Sequence, residues 1–150
     1  MPASKDTAAP AFRFTATADS ALPPTAYVVG VVARFDTTSD DKDDDTLLRV
    51  TLKDPAGAVV AEVDNVTGHW DNDSTNYVNL FITAQRQRSQ LVGNCTVEVH
   101  IDPNGNDTWD FNLTLTVSFS DGIQAQSYFG GHWLSQDNRT NDYPVTNLGG

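Results

Sequence analysis

Period-two alternation of apolar and polar residues dominates the chain, and helical periodicity is weak throughout. The clearest stretch is TWDFNLTLTVSF: Trp109, Phe111, Leu113, Leu115, Val117 and Phe119 alternate with Asp110, Asn112, Thr114, Thr116 and Ser118. Successive side chains of a strand point to opposite faces, so this pattern predicts one buried face and one wet face. Candidate strands fall at about 11–17, 26–35, 46–53, 57–63, 76–83, 95–101, 108–119 and 123–129. The second, AYVVGVVARF, is almost continuously apolar and reads as central. DPAG (54–57) and SDG (120–122) read as tight turns, in which proline presets the backbone and glycine frees it. The pattern predicts an all-β chain: a single antiparallel β-sandwich domain of about eight strands over 1–150, with a barrel second. Residues 1–10 and those after about 134 show little pattern and read as loosely ordered tails or segments draped on the surface.

The acidic residues fall unevenly on this frame. Asp36, Asp40, Asp41, Asp43, Asp44 and Asp45 follow the second strand. Asp64, Asp71 and Asp73 follow the fourth. Asp102, Asp107 and Asp110 follow the sixth. If successive strands run antiparallel, all three connections lie at one end, forming an acidic cup. The other end is neutral to basic, with Arg86 and Arg88.

Like charges packed this way repel, and a hard cation would turn the repulsion into attraction. Ca²⁺ takes six to eight oxygen ligands, and aspartates on irregular loops supply them. The expected metal ligands are Asp36, Asp41, Asp43, Asp45, Asp102 and Asp107, with Asp71 and Asp73 as second choices. Without an ion, the same run is a solvated loop. GHW occurs twice, at Gly68–Trp70 and Gly131–Trp133, each time followed by Asp/Asn residues. A tryptophan face can stack on a sugar while amides bind its hydroxyls, so Trp70 and Asn72 are the expected ligand contacts. Half-buried tryptophan at a core edge is the plainer reading. His69 and His132 sharing zinc is a further alternative.

FDTTSDDKDDDTLLRVTLKDPAG resembles the calcium loop and following strand of two sandwich families, the PLAT (lipoxygenase-type) domain and the calcium-dependent lipid-binding domain of the protein kinase C and synaptotagmin type. HIDPNGNDTWDF stands where the second type places a later aspartate loop. The resemblance implies a calcium-loop sandwich and, less directly, a lipid ligand reached through calcium. DDDT stands in place of the PLAT glycine–threonine–aspartate step, and SDPY of the kinase type is absent. DPNGNDTWD departs from the EF-hand, with glycine at the wrong position and Leu113 where a glutamate closes the loop.

A net charge of −11 with nine scattered basic residues argues against nucleic-acid binding. No stretch reaches the roughly 20 apolar residues of a membrane-spanning helix. The N-terminus shows no signal-peptide core, and the compartment stays open, leaning to secreted or cell-surface. Cys95 is the one cysteine, which rules out an intramolecular disulfide. No G-x-S-x-G, H-E-x-x-H or phosphate-loop motif occurs. The sequence therefore points to a non-catalytic calcium-binding recognition module for a glycan or other cell-surface component. The alternatives are a metal-independent structural or interaction domain and a metal-assisted hydrolase.

Overall fold

The computed structural model describes residues 25–149, and the candidate strand at 11–17 lies outside them. The described residues form eight strands: β1 (Val28–Thr37), β2 (Leu47–Lys53), β3 (Val59–Val66), β4 (Thr75–Ile82), β5 (Cys95–Asp102), β6 (Thr108–Phe119), β7 (Gln124–Ser135) and β8 (Thr140–Val145). A short 3₁₀ turn at Arg88–Leu91 is the one helical segment among the described residues.

All strands belong to one antiparallel sheet in the order β7-β6-β1-β4-β3-β2-β5-β8. The β3–β4 pairing is short, with Ala61 opposite Ile82 and Glu62 opposite Phe81. The sheet bends there into two four-stranded halves around one core. The expected sandwich is thus a single sheet curled into a nearly closed barrel.

The core follows from the alternation. All six apolar residues of β6 are buried, and they face Phe35, Leu48, Val50, Leu52, Val97, Val99 and Ile101 from the other strands. Each such side chain taken from water contributes about 1.5–3 kcal/mol.

The stretch after 134, expected to be loose or draped, instead supplies β8. It pairs with β5 from Cys95↔Val145 to His100↔Thr140 and buries Tyr143, Val145 and Leu148. The last predicted strand also runs further, to Ser135, across a register shift opposite Phe111 and Leu113.

The end strands β7 and β8 meet through side chains. Ser127 Oγ donates to Asn147 Oδ1 (2.9 Å), Asn147 Nδ2 donates to the Gln126 carbonyl (2.9 Å), and Asn141 Nδ2 donates to the Trp133 carbonyl (3.0 Å). The Tyr143 ring stacks on Phe129 with centroids 5.1 Å apart and meets His132 edge-on at 4.5 Å.

Candidate functional site

Because every neighbouring pair is antiparallel, β1, β3, β5 and β7 all run toward the same end. Three of the connections they feed, 38–46, 67–74 and 103–107, are the acidic loops. The cup anticipated from strand parity therefore exists, and its loops are tied together. Lys42 and Trp70 exchange backbone hydrogen bonds in both directions, each 3.0 Å. Asp107 Oδ2 accepts from Thr46 Oγ1 (2.6 Å) and from the Asp43 N–H (3.2 Å). Asn104 Nδ2 donates to Asp45 Oδ2 (3.1 Å), and Ser39 Oγ donates to Asp110 Oδ2 (2.6 Å).

Lys42 occupies the centre. It is the one basic residue in the run and is fully buried. Its ammonium donates to the carbonyls of Gly68 (2.6 Å) and Asp43 (3.2 Å) and lies 5.0 Å from the centre of the Trp70 ring. Burial pushes its pKa below the ordinary range, while Asp107, Asp44, Asp43 and Asp45 oppose that shift. The protein thus supplies a cation of its own to the loop that holds most of its negative charge. Below it lies an aromatic floor: Phe35, Trp70, Trp109 and Phe111, with Trp109 stacked on Phe111 at 4.3 Å and its Nε1–H donating to Thr37 Oγ1 (3.0 Å).

The eight carboxylates expected to share one ion divide. Asp43, Asp45 and Asp107 surround Lys42. The Asp43 carboxyl is held above the usual range by burial and then by Asp107, Asp41 and Asp45. Asp41 and Asp71 meet His69 at the exposed rim: His69 Nε2 is 2.6 Å from Asp41 Oδ2 and 3.4 Å from Asp71 Oδ1. Asp36, Asp73 and Asp102 have separate surroundings. Asp36 accepts from Thr75 Oγ1 (2.5 Å) and Arg34 Nε (3.2 Å). Asp102 faces His100 Nε2 (3.0 Å). Asp73 adopts a left-handed backbone (φ 61°), with its N–H on the Thr37 carbonyl.

Of the two expected ligand contacts, Asn72 is exposed at the tip of the 71–74 turn, whereas Trp70 is buried with 7% of its surface accessible. The Trp70 ring is committed to the core and to Lys42. Of the tryptophans in the repeated GHW, Trp133 is the exposed one.

Asp41, His69 and Asp71 place one ligand atom each within 4.8 Å of one another. Atoms bound about 2.0–2.2 Å from a shared ion lie roughly 3–3.5 Å apart, so a small outward shift of His69 would make room. A nitrogen with two carboxylates suits a borderline divalent metal better than calcium, which takes oxygen. Hydrogen bonding to Asp41 raises the His69 pKa, with Asp71, Asp41 and Asp43 adding to the shift. Sequence reasoning placed His69 only in a pairing with His132. The available signal was its spacing, since His69 and Asp71 are two residues apart and share one side of an extended segment.

No protein-family model matches this chain, and no curated protein is similar to it. Among the described residues, no helix is long and apolar enough to cross a membrane.

Proposed function

We propose that the protein is a non-catalytic recognition module whose acidic pole holds a divalent cation at Asp41, His69 and Asp71 and presents it to a glycan or other cell-surface ligand. The close approach of these three ligand atoms, contributed by two loops, carries this reading. The Lys42–Trp70 bridge supports it by fixing both loops beside the trio. The trio sits at the exposed rim, so an incoming hydroxyl or carboxylate can complete the coordination of the ion. The calcium expected from the sequence is a competitor for this position, and the imidazole favours zinc or manganese.

Thermal melts with Zn²⁺, Mn²⁺, Ca²⁺ or a chelator test this. A metal at a hundredfold excess over its Kd adds about 2.7 kcal/mol to stability. Zinc or manganese is expected to raise the melting temperature, and His69→Ala and Asp41→Asn are expected to abolish the rise. The alternative is a metal-independent interaction module, and the burial of Lys42 among the aspartates favours it. Melting curves unmoved by any of the three ions would establish that alternative.

A further inference from the structure

The outward face of the β7-β6-β1-β4 half carries a second pattern, remote in chemistry from the acidic pole. Residues paired across these strands line up in rungs. Tyr128, Thr114, Arg34 and Tyr77 form one rung. Gln126, Thr116, Val32 and Asn79 form the next. On a chain of net charge −11, the two rungs hold one charged side chain, Arg34, and Asp36 pairs with it at 3.2 Å. Apart from the half-buried Val32 and the two tyrosines, hydroxyls and carboxamides fill the rest, and Gln126 Nε2 donates to Thr116 Oγ1 (3.2 Å) across the ladder.

Aromatic rings stand at both ends. Tyr128 is 65% exposed, yet a Cβ on Gly130 would lie 2.9 Å from its Oη and 3.0 Å from its Cε2. Its ring therefore lies down over the bare Gly130 backbone, with its other face open. At the far end Tyr77 is 66% exposed, with the Arg34 guanidinium 6.0 Å from its ring centre. Three strand spacings, about 14 Å, separate the two tyrosines.

We propose that this face binds an uncharged polysaccharide chain lying across the strands, with sugar C–H faces on Tyr128 and Tyr77 and hydroxyls on the Thr/Gln/Asn rungs between them. Charge selects this occupant. A polyanion or polycation finds no counter-charge here, because Arg34 is already neutralised. A protein partner needs an apolar centre, whereas here the centre is threonines, Arg34 and one half-buried valine, Val32, and the large exposed rings, Tyr128 on one side and Tyr77 and Phe81 on the other, stand at the ends. The 14 Å span calls for a chain rather than a single sugar. The proposal does not depend on the metal reading, since it uses a different face and needs no ion.

Retention on microcrystalline cellulose, chitin, xylan and starch, measured as depletion isotherms with folding checked by circular dichroism, tests it. We expect binding to at least one of these polymers, weakened roughly tenfold or more by Tyr128→Ala and by Tyr77→Ala, through loss of the stacking surface. Gly130→Ala, which lifts the Tyr128 ring without removing it, is expected to weaken binding as well. Chelator is expected to leave retention unchanged. Three results would overturn the proposal: no retention on any of the four polymers, retention indifferent to all three substitutions, or retention abolished by chelator.

Discussion

Lys42 and Trp70 are joined twice, by reciprocal backbone hydrogen bonds of 3.0 Å and by an ammonium 5.0 Å from the indole centre. The backbone exchange brings the first two acidic loops together, and the side-chain contact places positive charge beneath them. Lys42→Met keeps most of the volume but removes the charge and its donors. It leaves the Gly68 carbonyl unpaired and the aspartates uncompensated, so a loss of about 2–4 kcal/mol is expected in urea unfolding. The lysine's pKa is lowered in the folded state, so the unfolded chain binds its proton more readily. Its contribution to stability therefore rises with pH from the folded value up to the unfolded one. The variant is expected to lose that alkaline rise.

His69 provides a spectroscopic handle on the rim. Its folded pKa is raised, so the pairing with Asp41 stabilises the fold fully below the unfolded histidine value and is lost as pH rises through the folded one. An NMR titration is expected to place its midpoint above 6.5 and to show it falling in Asp41→Asn. The same proton competes with any metal, so metal affinity is expected to fall as pH drops through that midpoint.

The opposite pole is held by charge pairs of a different kind. Arg88 is buried and forks onto Asp121 at 3.0 and 3.1 Å, with its guanidinium 4.3 Å from the Phe119 ring centre. Arg88→Ala removes the buried member of the pair, with its fork and its packing on Phe119, and leaves a cavity, so it is expected to be destabilised in chemical denaturation. Arg88→Lys retains the charge without the fork and is expected to be destabilised as well.

Acid lability is expected to start at that pole. Arg88 lowers the Asp121 pKa, and the Ala58 N–H, followed by Arg86, lowers that of Asp54. Stability from both is present above the unfolded carboxylate value and is lost as pH falls through the lower folded ones. Asp43 acts in the opposite sense: its raised pKa means that protonation relieves strain at the acidic pole. Asp43→Asn is therefore expected to stabilise the neutral protein slightly while leaving the acid transition in place, as a pH-resolved melting series would show.

Cys95 is fully buried, and burial, with Asp54 adding to it, raises its thiol pKa to about 11. The thiolate is the reactive form. Thiol-specific reagents at pH 8 are expected to label native protein at the rate of global opening and denatured protein at once.

The alternation in 108–119 fixed β6 at both ends, and strand parity placed the acidic loops together, because both depend on period two alone. TNDYPV did not read as β8. Only Tyr143 and Val145 turn inward, and Pro144 suits a strand only at an edge. Gly130 and Gly131 hid the far half of β7 by shifting its register. At the pole, a lysine among aspartates reads as a solvated face, and a tryptophan beside asparagine reads as a ligand contact. Both are core residues here because each fills the space the other leaves, a dependence between distant loops that no local pattern records.

The line where β7 meets β8 has one more implication. Among the described residues the two outermost strands face each other across Asn147, Asn141 and the Tyr143 ring, which cover part of both edges. A cylinder fastened there by side chains can also part along that line without breaking a rung of any ladder. Hydrogen–deuterium exchange is expected to find the earliest-exchanging strand amides along this one stave.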